Sequence, residues 1–162
     1  MNLPRQPVLR AAVPGDETLL LRFIRALADY EHLSHEVRAT EGILRASLFG
    51  ARPRAEALIA EQDGEPVGFA LWFYSFSTFK GRPSLYVEDV FVLPQHRGGG
   101  IGRSIFRYLA RLALAQGCGR MDWSVLDWNA PAIAFYRSIG AEPLPGWTVQ
   151  RLSGDALAAL AE

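Results

Sequence analysis

The chain has almost no cysteine, since Cys118 is the single one among 162 residues. One cysteine excludes an internal disulfide framework and a four-cysteine metal site. The three histidines show no metal-ligand spacing, so no metal centre is predicted. Cys118 follows a predicted helix and is expected to be a small buried residue.

The chain also lacks net charge, because 17 basic and 17 acidic residues cancel. A balanced chain has no excess of positive charge for binding nucleic acid by counterion release, or for binding a membrane surface. No apolar run approaches the roughly 18 residues of a membrane span, and the N-terminal segment lacks the apolar core of a secretory signal. We therefore expect a cytoplasmic protein with no nucleic-acid or membrane partner.

The remaining composition is that of a globular domain, with 49% hydrophobic and 21% charged residues. Hydrophobic periodicity predicts a single mixed α/β domain over residues 1–162. Asp16 and Thr40 are expected to cap the first two helices, and Asp63-Gly64 is expected to form the turn of a hairpin. The predicted strands are residues 7–13, 56–61, 66–76, 85–93, 120–126 and 147–153, and the predicted helices are residues 17–32, 41–48, 100–116, 130–138 and 155–161.

A glycine-rich loop joins the strand at 85–93 to the helix at 100–116. A helix start offers unpaired N–H groups and partial positive charge, and glycines let the backbone approach a ligand, so this loop is predicted to bind a phosphate. A P-loop is excluded because Gly102-Arg103-Ser104 lacks the required lysine. A dinucleotide fold is disfavoured because the loop falls past the middle of the chain, and Asp122 lies within a predicted strand.

Two adjacent carboxylates interrupt the apolar strand before this loop. Strand alternation predicts that Glu88 and Asp89 point to opposite faces, so that one of them faces a cleft, and the residue pattern does not say which. The alternative is a carboxylate that only pairs with a loop or caps a backbone group. The cost of burying two unpaired carboxylates favours a functional role.

The spacing Arg97-x-x-Gly100-x-Gly102 resembles the coenzyme A pyrophosphate motif of the GNAT superfamily of N-acyltransferases, Q/R-x-x-G-x-G/A. The preceding LYVEDVFV and the later WNAPAIAFYRSIGA resemble the neighbouring motifs of that superfamily in the same order. The YE after the first helix, the STFKGRP loop and the LYVED strand are most similar to the diamine or thialysine acetyltransferase group. The resemblance covers roughly residues 7–152. It implies the GNAT fold, a mixed and mostly antiparallel central sheet splayed at the strand 85–93, with helices on both faces.

The same resemblance implies an acetyl-CoA-dependent N-acetyltransferase, usually a homodimer, that acetylates a primary amine of a small molecule by direct attack in a ternary complex. Glu88 is then a candidate base acting through water, and Tyr136 the general acid toward the thiolate. Tyr30, Glu31 and Glu88 line the amine site. The residues implied to bind the cofactor are Phe91, Val92, Arg97, Gly98, Gly99, Gly100, Ile101, Gly102, Arg103 and Asn129.

Several alternatives stay open at this point. When the loop is disregarded, Tyr136 is more typical of a packed core residue, whereas the presence of the loop favours a functional role. Animal polyamine acetyltransferases have an acidic residue and a tryptophan where this chain has Thr78–Lys80, so a lysine-like amine or thialysine is as plausible as a polyamine. The acceptor is alternatively a protein lysine or N-terminus. A non-catalytic acyl-CoA-binding module is a further alternative.

Overall fold

The structure is a computed structural model that describes residues 6–162. The first five residues of the predicted domain therefore lie outside the described residues. The described chain divides into two compact units, of which the first ends at Leu126 and the second begins at Asp127.

The first unit contains a sheet and three helices. Their bounds agree with the predictions to within a few residues, except for the last strand, which is much shorter than predicted. The elements are β1 (Val8–Ala11), α1 (Glu17–Tyr30), α2 (Glu41–Phe49), β2 (Glu56–Gln62), β3 (Glu65–Ser77), β4 (Arg82–Val92), α3 (Ile101–Ala115) and β5 (Met121–Asp122).

The second unit contains α4 (Ala130–Ser138) and α5 (Gly154–Leu160). The predicted cap of α4 is confirmed, because the N–H of Ala132 donates to Oδ1 of Asn129 at 3.3 Å. Pro131 lies in the first turn, where its missing N–H costs no helical hydrogen bond.

The sheet has the strand order β1-β2-β3-β4-β5. The first four strands pair antiparallel, and β5 pairs parallel with β4. The hairpin of β2 and β3 turns at Asp63 and Gly64, whose φ values of 53° and 84° are those of a type I′ turn, as the sequence predicts. The predicted mixed, mostly antiparallel sheet is therefore confirmed.

Helices cover both faces of the sheet. Alternate residues of β2 point to opposite sides: Leu58 and Ala60 pack against α3, whereas Ala57 and Ile59 pack against α1 and α2. The exposed face of α3 carries Arg103, Arg107 and Arg111.

A β-bulge in β4 resets this alternation. Leu71 pairs with Asp89 and Trp72 with Val87, so Glu88 is an extra residue with no partner of its own in the ladder. Before the bulge, Val87 packs in the α3 core; after it, Val90 packs against that same core, although the two are three residues apart. Asp89 is paired with Leu71, which packs on the α1 and α2 side, so Asp89 faces that side.

The prediction that Glu88 and Asp89 point to opposite faces is therefore wrong. Alternation from Val87 places Glu88 on the α1 and α2 side, and the bulge keeps Asp89 on that side as well. Period-2 alternation fails here because one strand has a residue more than its partner.

The two predicted helix caps have different outcomes. Thr40 caps α2 as predicted, accepting a hydrogen bond from the N–H of Ile43 at 3.2 Å. Asp16 makes no side-chain cap of α1. Its carboxylate instead pairs with Arg10 at 2.7 Å and accepts from the N–H of Val13, and the Arg10 guanidinium lowers the pKa of Asp16.

Two strand predictions near the C-terminus need correction. The strand predicted at 120–126 is only the two-residue β5, and the described residues 147–153 form no strand at all. Trp147 and Val149 alternate correctly but are 78% and 82% exposed. Alternation alone does not form a strand, because a strand also needs a neighbouring edge for its hydrogen bonds.

Among the described residues, no helix combines the length and the apolar character needed to cross a membrane.

Candidate active site

The glycine-rich loop leads directly into α3. A short 3-10 turn at Pro94–His96 ends β4, and the chain then passes Gly98 and Gly100, whose φ values are +81° and +85°. Gly100 is the N-cap residue of α3, and no side chain caps this end of the helix. The first N–H groups of α3 have no intrahelical partner, and the helix dipole adds positive charge. The loop is therefore built to bind an anion.

The strands β4 and β5 separate next to this loop. They pair only at Leu85 with Met121 and at Tyr86 with Asp122, while β4 continues to Val92. The splay expected at this strand is thus present in the first unit. It opens the β5-side edge of β4 along residues 87–92.

The backbone direction of β4 distinguishes Phe91 from Val92. The N–H of Leu93 donates to the carbonyl of Val67 on β3 at 2.9 Å. Polar groups alternate sides along a strand, so those of Phe91 also point toward β3 and those of Val92 point toward the splay. The carbonyl of Val92 accepts a hydrogen bond from Nε of Arg97 at 2.8 Å. Of the two, Val92 presents its main chain to the open edge.

Three acidic side chains lie near one another on the α1 and α2 side. Glu88 is exposed, whereas Asp89 is mostly buried. The pKa of Asp89 is raised to about 6, mainly by burial and in addition by the negative charges of Glu88 and Glu31. Burial also raises the pKa of Glu31, which is the residue after α1. Glu31 and Glu88, the two predicted amine-site carboxylates, thus both act electrostatically on Asp89.

Arg97 connects the loop with the end of α1. Its guanidinium lies 4.5 Å from the centre of the Tyr30 ring and 5.4 Å from that of Phe91. These are cation–π distances. The sequence predicts Arg97 as a cofactor residue and Tyr30 as an amine-site residue, and contains no signal that they touch.

Asn129 and Tyr136 belong to the second unit. Asn129 is only 6% exposed, and its amide oxygen caps α4. Tyr136 is half-buried, and its ring lies 5.6 Å from that of Phe135. Seven residues of helix advance about 10 Å, so both lie along α4 at a separation of roughly two turns.

A cavity of about 530 Å³ lies elsewhere in the first unit, between α1, the turn of the β2–β3 hairpin and the residues after β4. None of the predicted site residues lines it. We place the candidate site at the splay instead, because β4 carries Glu88 and Asp89 there and leads into the anion-binding loop.

Within the described residues, no group of three side chains is arranged to hold a metal ion. The site offers an anion-binding helix start, an open strand edge, and two carboxyl groups, those of Asp89 and Glu31, whose pKa is raised. Such a set suits the transfer of an acyl group from an anionic carrier to an amine.

Comparison with known proteins agrees with this class of chemistry. The profile of the acetyltransferase (GNAT) family matches residues 22–141, and the chain belongs to that family. It is therefore an acetyltransferase, and the predicted GNAT fold is confirmed.

Similar curated proteins include a thialysine N-epsilon-acetyltransferase of Bos taurus, 42% identical over 95% of this chain and 96% of that protein. An L-ornithine N5-acetyltransferase of Arabidopsis thaliana is 28% identical over 94% of this chain and 86% of that protein. Among solved structures, the integron cassette protein VCH_CASS6 of V. cholerae superposes with a TM-score of 0.80 at 28% identity, covering 98% of this chain and 99% of the other.

Proposed function

We propose that this protein transfers the acetyl group of acetyl-CoA to the primary amine of a small molecule, by direct attack in a ternary complex. The observation that supports this best is the geometry of β4, a splayed strand that carries Glu88 and Asp89 and leads into an uncapped, glycine-rich helix start. The charge of Glu31, at the end of α1, also acts on Asp89. The relatives named above for thialysine and L-ornithine support a lysine-like or diamine acceptor.

Open space beside the loop glycines supports this proposal. A Cβ built on Gly98 or on Gly100 would meet no other atom within 4 Å. In our proposal the pyrophosphate binds the first N–H groups of α3, with the loop residues as donors. The pantetheine arm pairs with the outward main chain of Val92, and Asn129 contacts the cofactor. The loop residues concerned are Arg97, Gly98, Gly99, Gly100, Ile101, Gly102 and Arg103.

The acceptor amine is proposed to bind near the end of α1. Glu31 and Glu88 supply negative charge for an ammonium group or for a second cationic group of the substrate, and Tyr30 lines the site. Glu88 is the proposed base acting through water. Tyr136 is the proposed general acid, which protonates the thiolate of coenzyme A as it leaves.

An amine panel tests this function directly. Purified protein, acetyl-CoA and each of spermidine, lysine, thialysine, ornithine and a lysine-containing peptide are mixed, and thiol release is recorded. We expect release with a small amine. Release with the peptide alone would favour a protein acceptor. Tight acetyl-CoA binding without release on any amine would favour a non-catalytic binding module.

A substitution tests the general acid. Tyr136→Phe removes one hydroxyl and should lower kcat about 100-fold with little change in acetyl-CoA affinity. Phe135→Leu, at the neighbouring position, is the control for packing of α4. Unchanged turnover of Tyr136→Phe would remove Tyr136 from the mechanism.

We further infer that the protein acts as one domain over residues 1–162, in the cytoplasm, and that it forms a homodimer. The hairpin of β3 and β4 carries Phe76 and Phe79, which are 65% and 95% exposed. Large exposed aromatic side chains are typical of protein interfaces. Sedimentation of the wild type and of a Phe76→Ser, Phe79→Ser variant tests this, and a monomeric wild type would contradict it.

A further inference from the structure

Asp89 is the residue that the β4 bulge changes most. Without the extra residue at Glu88, alternation would have pointed Asp89 into the α3 core. With it, Asp89 faces the same side as Phe91, whose ring packs with α1 and α2. The bulge thus brings two successive carboxylates to one face, which an ordinary strand does not do.

The environment of Asp89 differs from that of Glu88. The Asp89 side chain is mostly buried, while Glu88 is exposed to water. The charged groups near this face are Glu88 on the strand, Glu31 after α1, and Arg97, whose guanidinium lies over the neighbouring Phe91 ring. Burial acts first, and the two acidic neighbours add to it, so the pKa of Asp89 is raised to about 6.

A raised proton affinity is what a general base near neutral pH requires. A base works best when its pKa lies near the working pH, because it is then both ionised and able to hold a proton. An ordinary aspartate, with a pKa of 3.8, is a weak base toward an ammonium group. Asp89 therefore meets the chemical requirement, and the bulge places it on the same face of β4 as Glu88, where the amine is proposed to bind.

We propose that Asp89, rather than Glu88, is the first acceptor of the substrate ammonium proton, and that the exposed Glu88 then passes this proton through water to solvent. The inference rests on the proposed acetyl transfer. The ammonium gives one proton to Asp89, and the neutral amine then forms the C–N bond to the thioester carbonyl carbon. The C–S bond breaks, the second N–H proton is lost from nitrogen, and the departing thiolate gains a proton. One proton reaches solvent for each acetyl group transferred.

The test is the pH dependence of kcat/KM for the wild type, Asp89→Asn and Glu88→Gln, from about pH 5 to pH 9. In the wild type we expect activity to fall below about pH 6 as Asp89 becomes protonated. In Asp89→Asn this acid limb should be absent, and kcat/KM should be lower than in the wild type by at least about 100-fold. Glu88→Gln should keep the limb but move it to lower pH, because it removes a negative charge that raises the pKa of Asp89.

Controls separate chemistry from folding. Circular dichroism and acetyl-CoA titration should give the wild-type fold and affinity for Asp89→Asn, and Asp89→Glu should restore part of the activity together with an acid limb. If Asp89→Asn does not fold, Asp89→Glu and Glu88→Gln still test the proposal. If Glu88→Gln lost the acid limb of the pH profile, the limb would belong to Glu88 and not to Asp89.

The two proposals fail in different ways. An active wild type in which Asp89→Asn keeps the acid limb, or in which Glu88→Gln abolishes it, would overturn the role of Asp89 and leave acetyl transfer standing. A wild type that releases no thiol with any amine would overturn the proposed function, and the role of Asp89 with it.

Discussion

The carboxyl group of Asp89 has a consequence for stability that does not depend on any substrate. Its pKa in the folded protein, about 6, lies above the ordinary value of 3.8. The folded state therefore binds this proton more tightly than the unfolded state does. The resulting stabilisation is complete below about pH 4 and is lost as the pH rises through 6.

The size of the effect follows from the shift. A difference of about two pKa units corresponds to roughly 3 kcal/mol over the whole titration. Between about pH 5 and pH 8 the wild type loses roughly 1 kcal/mol of this stabilisation. Asparagine has a similar shape and does not titrate, so Asp89→Asn should gain about that much stability relative to the wild type over this interval.

Urea unfolding at several pH values measures this directly. We expect the free energy of unfolding of Asp89→Asn, minus that of the wild type, to rise by roughly 1 kcal/mol from about pH 5 to pH 8. Asp127→Asn, at an exposed turn, is the control for the loss of a carboxylate that is not buried. A constant or falling difference for Asp89→Asn would refute the argument that burial raises its proton affinity.

Three other substitutions test the loop and the strands. Arg97→Lys keeps the charge but loses the Nε donor to Val92 and the guanidinium over Tyr30. It should lower the free energy of unfolding by about 1 kcal/mol and weaken acetyl-CoA binding several-fold in calorimetry. Arg107→Lys, on the exposed face of α3, is the control, and equal effects of the two substitutions would contradict the role of Arg97. Gly100→Ala places a side chain at φ +85° and should lower the free energy of unfolding, measured in urea, by about 1 to 2 kcal/mol. Gly99→Ala is the control and should leave this free energy nearly unchanged. The reverse order would be inconsistent with the helix start described above. Gly68→Ala puts Cβ 2.6 Å from the carbonyl oxygen of Phe91 and should lower the free energy of unfolding by more than about 2 kcal/mol. If the variant were as stable as the wild type, β3 and β4 would not be this close.

Much of this fold could be predicted because its signals are local. The β2–β3 hairpin follows from two apolar runs around Asp63-Gly64, and α3 follows from apolar residues at helical spacing. The glycine-rich loop is predictable for the same reason, because a strand, a glycine turn and a helix follow one another directly in the chain. Each of these features depends on residues that are neighbours in sequence.

The unsuccessful predictions concern partners that are distant in sequence. The strand predicted at 147–153 had the right alternation, but alternation does not specify a neighbouring strand. Asp16 is a residue type that often caps helices, but its carboxylate instead pairs with Arg10 and accepts a hydrogen bond from the N–H of Val13. The contact of Arg97 with Tyr30 joins two segments whose separate patterns say nothing about each other.

The sequence by itself determined the class of this protein, because the loop, its flanking strand and helix and the order of the later motifs are contiguous patterns. The tertiary structure decided how the acidic residues are arranged. A period-2 pattern assigns Glu88 and Asp89 to opposite faces, whereas pairing with β3 leaves Glu88 unmatched and turns Asp89 to the side of Glu31. The register of a strand depends on the strand with which it pairs, so it cannot be predicted from the sequence of β4 alone.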